Sequence, residues 1–417
     1  MATEQLFVSI IIILVAARVL GEIFQRIKQP PLVGELLAGV IIGPSLLGVV
    51  LPNSDLQVLS SLAVFFLMFL AGLEMDLREI RRSGKRAIVI SLIAFLIPLL
   101  AGTEISQLFG LTMVQSLFMG LLLSITAVPV SAIVLIQFGI MNSKLGNTVM
   151  TAAVINDILS LVVLSIILQI ATAEGNNAEV NFMDIAWSGV KIGAFLGGIF
   201  LFDILFRRSG AWLPRKGAPL FKKYLLTKEA AFGILLIATI AISLIAREIG
   251  LHFIIGTFFS GMIFYKKMIG KENFDKVYGI ISAITFGFFA PLFFALIGIE
   301  FQAQLLANAL PLFLALLAVA IGTKILAGYA GGRIVRFSGE SSWAIGFLMN
   351  GRGMVELAIA SIGFAAGILD LTLFSIAVAI GFITSILAPI TARPFISKAK
   401  KKGSKDIAIL DKVAERG

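Results

Sequence analysis

Residues 30–39 read PPLVGELLAG and residues 253–261 read FIIGTFFSG. Both carry one Gly-x4-Gly spacing, Gly34 to Gly39 and Gly256 to Gly261. Two more pairs follow in the same order. Gly72-Leu73-Glu74 is matched by Gly298-Ile299-Glu300, and Gly120–Ser124 (GLLLS) by Gly346–Asn350 (GFLMN). The last two pairs are offset by 226 residues and the first by 222. Three ordered matches indicate two related halves. In a membrane protein, that pattern points to a transporter whose site lies where the halves meet.

Composition supports a polytopic membrane protein. The chain has 417 residues, 59% hydrophobic and 14% charged, with a mean hydropathy of +1.02. Apolar runs of about 20 residues, enough to cross a bilayer, recur along it. The first run starts at Leu6 without a basic leader and passes into another span, so no cleaved signal peptide is expected. Absence of cysteine excludes disulfides and thiolate chemistry, and a single histidine, His252, argues against a histidine metal site or a catalytic triad.

Thirteen spans are expected, at about 6–26, 32–51, 56–75, 87–105, 115–138, 147–170, 184–206, 229–246, 252–265, 277–300, 306–333, 342–368 and 371–393. The charges test this count. Arg18, Lys191, Lys324 and Arg352 fall within spans, and Arg247 follows an even-numbered one. All other lysines and arginines, counting those at span ends with the adjoining loop, follow odd-numbered spans or lie in the C-terminal tail. Positive charge marks the cytoplasmic side, so the N-terminus is expected outside and the C-terminus in the cytoplasm. The same distribution assigns the net charge of +10 to membrane topology and not to nucleic acid.

Repeat one is then residues 1–183 (spans 1–6) and repeat two residues 229–397 (spans 8–13). Mates are seven spans apart, an odd number, so the halves are inverted. Residues 184–228 form the linker helix and a basic cytoplasmic loop, and 398–417 a short basic tail.

Chemistry at membrane depth falls on few residues. Span 6 holds Asn156-Asp157 near its middle. An ionisable group in hydrocarbon costs about 2.5–3.5 kcal/mol on insertion scales, so it is a functional candidate by default. A carboxylate binds a cation when ionised or a proton when neutral, and a single Asp157 can exchange one for the other. The plainer alternative is that Asp157 only neutralises a buried base. Span 5 carries Ser124, Thr126, Pro129 and Ser131; Pro129 removes a backbone bond and disfavours helix at Val128, and the hydroxyls offer oxygens. By the 226 offset, Arg352 aligns with Thr126 and lies between Gly351 and Gly353, so span 12 is expected to break at the matching place. Glu356, four residues on, is placed to pair with Arg352.

Lys324 lies mid-span in span 11 and needs an acceptor, with Asp157 the first choice. Glu35 opens span 2 and is a candidate for an access path. Glu74 ends span 3 ahead of Arg78, Arg81 and Arg82, which favours a surface carboxylate over an access role.

Taken together, the ordered motifs QPPLVGELLAGVIIGPSLLG (Gln29 to Gly48), FLAGLEMDL (Phe69 to Leu77), TAVPVS (Thr126 to Ser131), NDI (Asn156 to Ile158), PLFFALIGIEF (Pro291 to Phe301) and GRGMVELAI (Gly351 to Ile359) resemble the monovalent cation:proton antiporter-2 family. That family includes sodium/proton antiporters and Kef-type potassium efflux systems. The resemblance implies an all-helical fold of 13 transmembrane helices with crossed broken helices 5 and 12. It also implies a homodimer working by elevator-type alternating access in the cell (inner) membrane. It makes Asp157 the shared site of a monovalent cation (Na+ or K+) and H+, with Asn156, Thr126 and Ser131 beside it and no resident cofactor. Lys324 resembles a lysine that pairs with the core carboxylate in some members.

Many electrogenic members have two adjacent aspartates. Here the first is Asn156, and relatives with Asn-Asp are often electroneutral, so one proton per cation is expected. Kef-type systems usually add a cytosolic nucleotide-binding domain, which these 417 residues do not carry. Two other functions fit less well. A gated potassium efflux pathway would need no proton coupling. An intramembrane enzyme would need a nucleophile-base pair that the composition withholds.

Overall fold

The computed structural model describes residues 2–75, 84–175, 190–191, 193–195, 197–198, 201, 228–249, 251–264 and 271–408. Among them there are helices and turns but no strands. In chain order the helices are α1 (Ala2–Arg26), α2 (Pro31–Ile42), α3 (Ser54–Glu74), α4 (Gly84–Leu108), α5 (Met113–Ser124), α6 (Val128–Gln137), α7 (Lys144–Gly175), α8 (Lys228–Glu248), α9 (Phe253–Ile263) and α10 (Lys271–Ile284). A π-helical turn, Thr285–Phe289, leads into α11 (Ala290–Glu300); then come α12 (Ala303–Asn308), α13 (Leu310–Ile334), α14 (Gly339–Met349), α15 (Met354–Ala365) and α16 (Leu371–Lys401).

Among the described residues, ten helical stretches are long and apolar enough to cross a membrane, with α5–α6, α10–α11 and α14–α15 each counting as one. Spans 2 and 9 are shorter than expected. Span 2 was expected over 32–51, but α2 stops at Ile42 after 12 residues, about 18 Å against a hydrocarbon core of about 30 Å. Pro44 disfavours helix at Gly43, and the chain folds back so that the Val49 and Val50 amides bond the Ile42 carbonyl. The apolar run continues to Leu51 but the helix does not. The seventh span and the basic loop after it lie mostly outside the described residues.

The chain divides into two compact units interleaved in sequence. Unit 1 holds residues 1–53, 78–164 and 294–417. In it α4 packs on α5 and α13, α13 on α14, and α14 on α16. Unit 2 holds residues 54–77 and 165–293. There α3 and α8 flank α9. Buried hydroxyls join α8 to α9, Ser260 donating to Thr239 at 2.8 Å and Ser243 lying 2.9 Å from Thr257.

Glycine decides how closely these helices approach. In unit 1 a Cβ on Gly39 of α2 would overlap the Ala295 carbonyl, and one on Gly298 of α11 would overlap the Leu36 carbonyl. In unit 2 a Cβ on Gly72 of α3 would overlap the Phe258 carbonyl, and one on Gly261 of α9 the Phe69 carbonyl. Gly39 aligns with Gly261 and Gly72 with Gly298, so the aligned residues make matching contacts. The same holds for α4–α5 and α13–α14. A Cβ on Gly102 would lie 2.9 Å from Gly120 Cα, and one on Gly328 would lie 2.6 Å from Gly346 Cα. Both members of the second pair are 226 residues beyond the first.

α16 runs past its expected end at 393 to Lys401. Gly403, at φ +61°, then turns the chain back onto unit 1. The Asp406 carboxylate accepts the Ser338 amide and the Lys144 ammonium, both at 2.9 Å, and its carbonyl accepts the Leu145 amide at 2.8 Å. Burial raises the Asp406 pKa, but these donors outweigh it and hold the carboxyl below its usual range. The turn therefore ties the start of α7 to the start of α14.

Gly328→Ala should lower the Tm of the purified protein, because Gly346 leaves no room for a methyl. Gly322→Ala in the same helix faces open space and should leave Tm unchanged or raise it, alanine being favoured over glycine by about 1 kcal/mol inside a helix. Equal shifts from the two would show that the close approach carries no energy.

Candidate functional site

Two helices stop inside unit 1. α5 ends at Ser124 and α6 starts at Val128, with Ile125 and Ala127 extended and Pro129 in the first turn of α6. α14 ends at Met349 and α15 starts at Met354, the glycine-flanked Arg352 lying in the gap. The breaks touch. The Ala127 amide donates to the Gly351 carbonyl at 2.8 Å, and a Cβ on Gly353 would lie 2.9 Å from Ala127 Cβ. Both breaks therefore fall where the sequence placed them.

A helix end leaves carbonyls without amide partners, and at this depth each needs a donor. Each break supplies donors to the other. Thr126 Oγ1 donates to the Met349 carbonyl at 3.0 Å and Ser131 Oγ to the Leu348 carbonyl at 2.8 Å. In return Arg352 Nη1 donates to the Leu122 carbonyl at 2.6 Å and Nη2 to the Leu123 carbonyl at 2.9 Å. Thr126 aligns with Arg352 and Leu123 with Met349, so the two sets of bonds are reciprocal. Arg352 Nη1 also pairs with Glu356 Oε1 at 3.0 Å, and the Arg352 carbonyl accepts Ser385 Oγ at 2.6 Å.

Lys324 completes the cap on α5. Its ammonium donates to the Ser124 carbonyl, the last of that helix, and to the Ala94 carbonyl of α4 at 2.9 Å. The pairing with Asp157 expected from sequence is not made. Backbone oxygens take the lysine protons, and Asp157 is coupled to Lys324 by charge without contact. The sequence did not show these oxygens because a helix interior normally has none to spare.

Asn156 and Asp157 lie on α7, 0% and 3% exposed. The Asn156 amide is oriented by Lys324, because an NH2 group facing an ammonium would set donor against donor. With Oδ1 turned to Lys324 Nζ at 3.3 Å, Nδ2 donates to Ser91 Oγ of α4 at 2.5 Å, and the Thr126 hydroxyl lies 3.1 Å from Oδ1. Asp157 Oδ1 is buried with no hydrogen-bond partner. Four charged groups, Asp157, Lys324, Arg352 and Glu356, are thus at most 3% exposed within one unit.

The sequence-predicted residues Asn156, Thr126, Ser131, Lys324 and Arg352 with Glu356 belong to this assembly. The two access candidates do not share its hydrogen bonds. Glu35 is buried on α2 against Gly21 of α1, and Glu74, in unit 2, accepts the Tyr278 hydroxyl at 2.9 Å. Arg78, Arg81 and Arg82 lie outside the described residues. His252 starts α9, its Nδ1 accepting the Ile254 amide at 3.4 Å. Ser91, Ser385 and Asn350 were missed. Ser91 and Ser385 look like ordinary small residues in apolar helices. Asn350, whose Oδ1 is buried and unpartnered, could have been found from its alignment with Ser124.

The transmembrane sodium/hydrogen exchanger family model matches residues 10–398. The chain belongs to that family. A probable Na+/H+ antiporter of Bacillus cereus, GerT, is 30% identical over 363 residues, covering 86% of this chain and 91% of the relative. The Na+/H+-K+ antiporter GerN of the same organism is 28% identical over 389 residues, covering 92% and 95%. The fold is similar to the sodium proton antiporter MjNhaP1 of Methanocaldococcus jannaschii, with a TM-score of 0.68 over 99% of this chain and 100% of that one, at 17% identity. This exchanger-family chain is an integral membrane transporter and not an enzyme.

Arg352→Met should destabilise the protein by about 3–5 kcal/mol, because it leaves the buried Glu356 carboxylate unpaired. Arg352→Met with Glu356→Leu should recover part of that loss. Thermal unfolding in detergent compares them, and a double variant no more stable than Arg352→Met would show that the pair is not the source.

Proposed function

We propose that this protein is a secondary antiporter that exchanges Na+ or K+ for H+ across the cell membrane, one cation for one proton. The observation that carries the reading is the Asp157 carboxylate, buried in an apolar helix with Oδ1 lacking a partner and the Asn156 and Thr126 oxygens grouped at the helix breaks. Such an oxygen is where a cation or a proton binds, but not both. Sodium is named for GerT and GerN alike, potassium for GerN.

One shared carboxylate sets the stoichiometry in this reading. With Asp157 and Glu356 ionised and Lys324 and Arg352 protonated, the four groups sum to zero. Binding either Na+ or H+ raises the sum to +1. Both legs of the cycle then move equal charge, and exchange is electroneutral. Arg352 serves as a fixed cap on the Leu122 and Leu123 carbonyls.

In this reading the assembly crosses as a block with its unit, by elevator-type alternating access, within a homodimer. The reciprocal glycine contacts and reciprocal carbonyl caps support thirteen spans in two inverted repeats joined by the seventh. The charge bias supports an external N-terminus and a cytoplasmic C-terminus.

Asp157→Asn should abolish cation-driven proton movement in proteoliposomes while leaving the protein folded, with a cooperative thermal transition. Full exchange by a folded Asp157→Asn protein would end the single-carboxylate mechanism. An imposed membrane potential should not change the direction or final extent of exchange by the wild-type protein. A reversible dependence on voltage would mean a second proton, with Lys324 its first candidate carrier.

A further inference from the structure

One bond of Lys324 traces to a residue outside the site. In an unbroken α4 the Ala94 carbonyl would accept the amide of residue 98. Residue 98 is proline, buried inside the helix, and has no amide hydrogen. The carbonyl left free is the one that Lys324 Nζ takes at 2.9 Å. The second acceptor, the Ser124 carbonyl, is free because α5 stops there, and the third, Asn156 Oδ1, is 3.3 Å away. An ammonium has three protons, and these three neutral oxygens match them. Asp157, Arg352 and Glu356 are the other charges it feels.

We propose that Pro98 is a positioning residue for transport: it withholds an amide from Ala94 so that this carbonyl holds the Lys324 ammonium against the Asn156 side chain next to Asp157. Proline in a membrane helix is commonly a tolerated kink whose freed carbonyl finds some nearby donor. Here that donor is a fully buried charge at the helix breaks. By the 226-residue offset Pro98 also aligns with Lys324. One half of the chain removes a donor where the other half adds one.

The inference rests on the functional reading, so the test has a structural arm and a kinetic arm. Wild type, Pro98→Ala, Lys324→Met and the double variant are compared as full chains, by Tm in detergent and by Na+- and K+-driven proton movement in proteoliposomes. Lys324→Met leaves the Ala94 carbonyl without a donor and should lower Tm. Adding Pro98→Ala returns an amide to that carbonyl. It should raise Tm in the Lys324→Met background by clearly more than in wild type, since residues sharing a partner are not additive. Additive shifts would overturn the link between Pro98 and Lys324.

In transport, Pro98→Ala lets α4 compete for the Ala94 oxygen. It should raise the apparent cation KM about three- to tenfold, the scale of one hydrogen bond partly lost. The maximal rate should stay within about twofold of wild type, because the kinetic effect of positioning falls on binding. Pro98→Val, which restores the amide and keeps three side-chain carbons, should do the same. An unchanged KM in both variants would overturn the positioning role even if the stability arm held. A wild-type chain that drives no exchange would overturn the antiporter reading itself, while the Tm comparison would still decide whether Pro98 and Lys324 share the carbonyl.

Discussion

Carbonyl oxygens at the ends of two helices that stop inside an apolar interior must find donors, and the rest of unit 1 follows from that need. Water normally serves helix ends, and here it is largely excluded. α5 presents the carbonyls of Leu122, Leu123 and Ser124; Arg352 takes the first two and Lys324 the third. α14 presents Leu348 and Met349, which Ser131 and Thr126 take. Each end is satisfied by the other break or by the helix beside it. The short Thr126 and Ser131 side chains reach their carbonyls because the two breaks touch, the Ala127 amide bonding the Gly351 carbonyl.

The two ends are capped with different chemistry. α5 carries two cations at its negative pole, where the helix dipole favours them, and α14 carries only hydroxyls. Two buried cations need two buried anions. Glu356 answers Arg352 by contact, and Asp157 completes the balance without touching Lys324. Lys324 can forgo a carboxylate contact because it has backbone oxygens, and that leaves Asp157 Oδ1 without a partner, as the proposed cation site requires. Had Lys324 and Asp157 formed a tight ion pair, a cation would first have to break it.

Much of this was legible in the sequence. Gly351, Gly353 and Pro129 announced the breaks because glycine and proline act through the backbone, and backbone effects are local. Asp157 announced itself because a charge in an apolar run needs a reason. The Arg352–Glu356 pair followed from helical spacing. What was not legible depended on hydrogen bonds between elements far apart in sequence. The acceptors of Lys324 are backbone atoms of Ala94 and Ser124, and residue type does not reveal a carbonyl. Ser91 matters only because α4 brings it to Asn156. The end of α2 was not legible from hydropathy, because the apolar run continues through Gly43-Pro44 to Leu51 while the backbone leaves the helix at Ile42.

The proposed repeat separates scaffold from chemistry. Where aligned residues shape the backbone they agree: Gly102 with Gly328, Gly120 with Gly346, Gly39 with Gly261, Gly72 with Gly298. Where they face the breaks they differ: Thr126 against Arg352, Ser124 against Asn350, Pro98 against Lys324. Matching glycine contacts bring the two broken helices together with reciprocal caps. Identical side chains would place like charges at both ends and leave no single carboxylate to be shared by a cation and a proton. The proposed one-for-one exchange calls for halves alike in glycine and unlike in charge, and these positions divide along that line.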